Sequence, residues 1–304
     1  MDYGHALEFG TFITPLNDPP HHAVKLAALA EQLGFDLVTL QDHPYQPRFH
    51  DTLTLLTWIA ARTERVRLMA NVHNLPLRPP AVLARAAASL DLLSGGRFDL
   101  GIGAGGFWDA IEAMGGTRLT PGESIDALGE AIDIIRGVWD TDNREPLRVS
   151  GTRYRVDGAK RGPAPTRSIP IVVGGYKPRM LRFIGTRADG WVPSYAYMKA
   201  GDIPKANAVI DAAATDAGRA PADIRRLLNI GGRFPAQRGG ADGGAGTGPF
   251  TGPASDWVEQ LAELAIENGF GTFILASDDG PTMQEFAENV IPAVRDTVAQ
   301  ARRP

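Results

Sequence analysis

Two side chains capable of proton chemistry stand where an apolar run stops. Leu37-Val-Thr-Leu-Gln-Asp-His-Pro-Tyr45 begins as a β-type stretch and ends in Gln41, Asp42 and His43 before Pro44 breaks it. With an ordinary pKa of about 6.5, His43 is the residue best suited to give or take a proton at neutral pH. Pro44 confines it to extended backbone, which fixes the direction of its side chain. Asp42 beside it either orients an imidazole or accepts from a ligand N–H, and a turn-forming or capping aspartate is the competing reading. His73 falls just past another apolar run and reads as a solvated loop residue.

Glycines supply the second chemical signal. Gly101-Ile-Gly-Ala-Gly-Gly106 matches the G-x-G-x-x-G of dinucleotide turns. It stands after three strand–helix units rather than in the first, and Asp126, the acidic residue about 20 positions on, lies inside a helix pattern. Gly103, Ala104 and Gly105 read instead as a surface against which a flat ring can lie. Gly174-Gly175-Tyr176 leads into a helix near Pro178, an arrangement that can hold an anion on backbone N–H groups, with an ordinary tight turn as the alternative. Histidines 21, 22 and 50 and Asp51 form no metal-ligand set and read as solvated helix starts, so no metal is expected.

These residues need a scaffold that brings strand ends together. β-rich runs are expected over 8–13, 37–41, 66–72, 97–103, 169–173, 190–193, 225–231 and 271–276, each followed by a helical period. Helices are expected over 22–33, 51–62, 81–93, 124–139, 178–186, 204–217, 255–268 and 283–301. Val82, Ala86, Leu90 and Leu93 share one helical face, as do Leu128, Ile132, Ile135 and Trp139. Gly34, Gly95, Gly218 and Gly269 follow helix patterns where a left-handed residue ends the helix. Eight such pairs in one chain of 304 residues predict a single-domain α/β fold, a (β/α)8 TIM barrel. Two segments interrupt the repeat: a small hairpin insertion after the fourth helix, within Pro146–Pro165, and a glycine-rich loop over Gly239–Pro253 after the seventh strand, either a lid or disordered.

In a barrel the strand ends gather Thr14, Gln41, Asp42, His43, Asn71, Val72, His73, Gly103–Gly106, Gly174, Gly175, Ser194, Tyr195 and Arg233 at one mouth. Thr14, Tyr45, Phe107, Trp108 and Tyr195 are the candidates for an uncharged pocket around a small-molecule substrate. A net charge of −4 without a basic run gives no reason to expect nucleic acid or an anionic membrane as partner. Zero cysteines exclude disulfides and thiolate catalysis, and no apolar run reaches a spanning length, so a cytoplasmic protein is expected.

The longer motifs carry a family resemblance. Phe9-Gly-Thr-Phe12, Asp42-His43, Ser94-Gly-Gly-Arg97, Leu100-Gly-Ile-Gly-Ala-Gly105, Val173-Gly-Gly175 and Arg187-Ala-Asp-Gly-Trp191 together resemble the bacterial-luciferase-like flavin and deazaflavin oxidoreductases over nearly the whole chain. The resemblance implies a barrel that binds coenzyme F420 or FMN, often as a homodimer. Asp42 and His43 match the pair of the deazaflavin branch, with His43 as catalytic residue, which favours F420. Asn71-Val72 matches a non-proline cis peptide that buttresses the ring, Gly105 a ring-side glycine, and Gly174-Gly175 with Tyr176 a phosphate-binding turn. Gly106 stands where sugar-phosphate dehydrogenases of that branch carry a glutamate. With FMN, the same scaffold implies a monooxygenase served by a separate flavin reductase. A nicotinamide-dependent reductase and a non-catalytic flavin-binding protein are the remaining alternatives.

Overall fold

The computed structural model describes residues 2–199, 201–235 and 249–303. Its strands are β1 (Glu8–Ile13), β2 (Leu37–Leu40), β3 (Arg67–Ala70), β4 (His73–Asn74), β5 (Phe98–Gly103), β6 (Leu147–Ser150), β7 (Arg155–Ala159), β8 (Ile171–Val173), β9 (Gly190–Trp191), β10 (Arg225–Ile230) and β11 (Thr272–Ala276). The helices are α1 (His22–Gln32), α2 (Thr52–Ala60), α3 (Pro80–Ser94), α4 (Trp108–Ala113), α5 (Pro121–Trp139), α6 (Pro178–Arg187), α7 (Asp202–Asp216), α8 (Ala254–Asn268), α9 (Gly280–Glu285) and α10 (Ile291–Ala301). Hydrogen bonding orders the strands β3-β2-β1-β11-β10-β9-β8-β5, and β3 pairs back with β5, so the order closes on eight strands: a (β/α)8 barrel. Among the described residues no helix is long and apolar enough to cross a membrane.

Contacts group the chain into two units: Met1–Thr14, Lys25–Thr39 and Gly175–Pro304 in the first, Pro15–Val24 and Leu40–Gly174 in the second. The first is centred on aromatic packing, with Phe286 6.0 Å from Phe9 and 5.7 Å from Trp257. The second buries Leu68, Phe98 and Ile102 of the sheet with Leu83, Ala87 and Ile132 of the helices. Its hairpin, β6 with β7, is the expected insertion. Three successive N–H groups at the hairpin turn, of Thr152, Arg153 and Tyr154, donate to the Glu130 carboxylate of α5 at 2.6, 2.9 and 2.7 Å.

Three expectations need correction. The face of α3 expected from Val82, Ala86, Leu90 and Leu93 is not the buried one, because Val82 is 65% and Leu93 79% exposed while Leu83, Ala84 and Ala87 are buried. Alanine and leucine are so frequent in α3 that more than one face fits the helical period. The small alanines win because they let α3 approach α5, where Trp139 Nε1 donates to the Ala84 carbonyl at 2.8 Å. The third strand breaks at a cis Asn71–Val72 bond and resumes as β4, paired with Ile102 and Gly103. The last helix passes through a π-type stretch at Phe286–Val290 before Pro292, which lacks the N–H that continues an α ladder. Of the expected loop Gly239–Pro253, residues 239–248 lie outside the described residues. Its return is anchored by buried Phe250, whose carbonyl accepts from Arg233 N at 2.9 Å.

Candidate active site

Asp42, two residues past β2, is 3% exposed, and both of its oxygens are engaged. Arg78 Nε and Nη2 donate to Asp42 Oδ2 and Oδ1 at 2.6 and 2.7 Å, a bidentate pair. The backbone N–H of Asn74 donates to Oδ2 at 2.9 Å, and His73 Nδ1 lies 3.3 Å from it. An ionised carboxylate only accepts, so Nδ1 of His73 carries the hydrogen. Burial by itself raises the Asp42 carboxyl, but its hydrogen bonds to Arg78 and His73 outweigh that and hold it well below the usual carboxylate range. Arg78 also reaches Asp51 Oδ2 at 2.7 Å, and Asp51 caps α2 by accepting from Thr54 N at 2.9 Å. One buried ion-pair network thus ties the end of β2, the segment just after the cis bond and the start of α2. His73, expected to be solvated, is fully buried in it.

His43 takes no part in that network. It is half-buried, and its Nδ1 is hydrogen-bonded to the Tyr45 hydroxyl at 2.5 Å. Burial pushes its pKa below the ordinary value, against the opposing pull of the Asp42 charge, which favours a neutral imidazole at pH 7. Phe107 stands edge-on to His43, with centroids 5.4 Å apart and planes at 79°. Phe107 is 63% exposed, so the His43 side of the site has an open aromatic wall.

The glycines of β5 and of the segment just after it divide into two kinds. A Cβ on Gly101 would stand 2.0 Å from the Ala70 carbonyl oxygen, so this glycine exists for strand approach. The G-x-G match is therefore part of a barrel strand and not a dinucleotide turn, and only the six-residue α4 follows it. Gly103 is partly exposed, with Val72 Cγ2 2.7 Å from where its Cβ would lie. Gly105, at φ 101°, would meet Pro76 and Trp108, whereas a Cβ on Gly106 would meet nothing within 4 Å. Ala104 between them is buried. Gly103 and Gly105 are thus packed against Val72, Pro76 and Trp108, which leaves no room for a side chain at either, while Gly106 borders open space.

Within the first unit, Gly175 and Tyr176 lead into α6, whose N-terminus has no side-chain cap. A Cβ on Gly175 would lie 2.4 Å from Met180 Cγ, so the turn accepts only glycine at that position. Trp191 Nε1 donates to the Gly175 carbonyl at 2.8 Å, and the Tyr176 hydroxyl accepts from Ser194 N at 2.8 Å. Thr14 N donates to Asp278 at 2.7 Å, and the Tyr195 ring packs edge-on to Phe250, centroids 5.1 Å apart. Sequence reasoning missed Arg78, Asn74 and the brace formed by Trp191. Of these, only Trp191 carried a signal, its place in Arg187-Ala-Asp-Gly-Trp191.

Comparison with known proteins follows the same lines. An uncharacterized protein of Mycobacterium bovis is 35% identical over 213 residues, 63% of this chain and 68% of its own. An F420-dependent glucose-6-phosphate dehydrogenase of Nocardia farcinica is 30% identical over 233 residues, 74% of this chain and 68% of its own. The solved structure of an F420-dependent secondary alcohol dehydrogenase, in complex with an F420–acetone adduct, superposes with a TM-score of 0.80 at 20% identity. That match covers 96% of this chain and 100% of the other, which supports the fold. The family model for luciferase-like monooxygenases matches residues 2–231, and the chain belongs to that family.

Proposed function

We propose that the protein is an F420-dependent oxidoreductase transferring hydride between the deazaflavin and a small, uncharged organic substrate. The observation that carries this reading is a half-buried, neutral His43 at the end of β2, in the same unit as the cis Asn71–Val72 bond and the glycine-rich end of β5. F420-dependent relatives among both sequences and structures support it. Bound there, the coenzyme would supply the two-electron hydride chemistry. Val72, Gly103, Ala104 and Gly105 would hold its ring, and Gly174, Gly175 and Tyr176 would take its phosphate. Asn71 and Val72 are kept in place by Asp42, which acts through the N–H of Asn74. Asp42 thereby serves the coenzyme indirectly. His43 gives or takes the accompanying proton while Tyr45, Phe107 and Trp108, with Thr14 and Tyr195, contact substrate and exclude water. A sugar phosphate is not the proposed substrate, because Gly106 stands where that chemistry places a glutamate and borders open space.

The test is parallel titration of coenzyme-free protein with F420 and FMN, followed by tryptophan quenching. Tighter binding of F420 is expected. Tight FMN binding without an F420 response favours a monooxygenase fed by a separate reductase, and binding of neither removes the coenzyme reading.

A homodimer is part of the same proposal. Trp58 of α2 and Val82, Leu92 and Leu93 of α3 are 48%, 65%, 45% and 79% exposed, an apolar set of the kind that subunit contacts cover. Sedimentation equilibrium is expected to give twice the chain mass, and Leu93→Glu with Val82→Glu to give monomers. A monomeric parent at micromolar concentration refutes the dimer.

A further inference from the structure

His43 needs a partner that fixes its ring, and Asp42, the obvious candidate, is fully engaged with Arg78, Asn74 and His73. The chain solves this with a turn. Gln46 N donates to the His43 carbonyl at 2.9 Å, closing a four-residue turn with Pro44 at its second position and Tyr45 at its third. That turn folds the Tyr45 ring back on the imidazole, centroids 5.3 Å apart, and brings the phenol oxygen 2.5 Å from Nδ1. Phe107 closes the triangle, 5.4 Å from His43 and 6.1 Å from Tyr45. The turn itself is tied down: Asn17 N donates to Arg48 O at 2.8 Å, Asn17 Nδ2 to Pro47 O at 3.0 Å, and His50 N to Pro15 O at 2.8 Å.

We propose that Tyr45 is the positioning residue of the site: its hydroxyl holds His43 through Nδ1 and leaves Nε2 as the nitrogen that exchanges the proton. The inference rests on the function proposed above. For Nε2 to exchange the proton, Nδ1 keeps its hydrogen in both protonation states and donates it to the phenol oxygen throughout, which a phenol can accept without carrying a charge. A carboxylate partner accepts only and raises the pKa of the histidine it holds. The phenol orients the ring without adding a negative charge. The titratable groups that face His43 are Tyr45 and Asp42, and the wall contributed by Phe107 is apolar. A hydrogen bond donated by a cation is stronger than one between neutral groups, so the phenol stabilises imidazolium more than imidazole. Its removal therefore lowers the His43 pKa further.

The test is Tyr45→Phe, which keeps the ring and its packing. In coenzyme-free protein labelled with ¹⁵N-histidine, the two His43 nitrogen signals are expected to move, and the titration midpoint to fall, while the other histidines keep theirs. In turnover with F420, kcat is expected to fall about tenfold or more, part of what a positioned acid or base supplies, with KM and coenzyme affinity little changed. The pH inflection should follow the NMR midpoint downward. A role as pocket wall alone predicts unchanged signals and an unchanged inflection for Tyr45→Phe, with losses only in Tyr45→Leu, and that result overturns the proposal. Because the spectra need no coenzyme, they separate the two readings. Moved signals without F420 activity leave the Tyr45–His43 link standing and remove the coenzyme reading; unmoved signals in an F420-active enzyme do the reverse.

Discussion

His43→Ala is expected to bind F420 as the parent does and to lose about 10²- to 10⁴-fold in kcat, the usual contribution of a positioned acid or base. The argument is geometric before it is electrostatic. His43 is the titratable side chain at the end of β2 left outside the Asp42–Arg78 network, and burial keeps it neutral near pH 7. In the direction in which His43 accepts the proton, kcat/KM should fall on the acid side of a midpoint below about 6.5. In the reverse direction it should fall on the alkaline side of that same midpoint, and His43→Ala should lose both limbs. Stopped-flow turnover and a coenzyme titration on one preparation separate the outcomes. Parental turnover in His43→Ala would falsify the role, and lost coenzyme affinity would make His43 a binding residue instead.

The barrel was legible because its repeat is written locally. β-branched and aromatic runs alternate with helical periods, and glycines at 34, 95, 218 and 269 end helices with φ of 84°, 71°, 73° and 73°. The Asp42-His43 pair stood out for the same reason, as polar residues at a strand end. What joins distant segments was not legible. Arg78 lies 36 residues beyond Asp42 and no spacing announces their pairing. His73 read as solvated because the chain after a strand usually is, yet it resumes pairing past the cis bond and is buried against Asp42. Arg97 and Trp191 of those motifs, with Arg167 outside them, illustrate a related limit. Arg97 of Ser94-Gly-Gly-Arg97 donates to the carbonyls of Ala60, Thr63 and Val66 at 2.8, 3.0 and 2.9 Å, bracing the chain between α2 and β3. Arg167 does the same for Gly96 and Phe98 at 2.6 and 2.8 Å, and Trp191 holds the Gly175 carbonyl. A recurring sequence run marks such braces and reacting groups alike, and hydrogen-bond geometry tells them apart.

Asp42→Asn should destabilise the fold by about 3 kcal/mol at pH 7, near the lower bound for breaking one side of a buried ion pair. The lower bound applies because Arg78 keeps Asp51 as a partner, at 2.7 Å, when Asp42 is lost. Asparagine has nearly the volume of aspartate, so the loss reports charge and hydrogen bonding rather than a cavity. The pH dependence follows from the depressed carboxyl of Asp42. Its folded-state pKa lies below the unfolded value of about 3.9, so its contribution is complete above that value and is lost as pH falls through the folded one. The difference in unfolding free energy between parent and Asp42→Asn should therefore be constant from neutral pH down to about 5, and shrink below about 4. Urea titrations across that range measure it. Asp42 supports the site through the Asn74 N–H and the imidazole of His73, so the variant should also weaken coenzyme binding, and losing the Asp42 charge should lower the His43 titration midpoint. A variant that is as stable as the parent at pH 7, or whose stability deficit grows toward acid, contradicts the buried pair as the brace of the strand end.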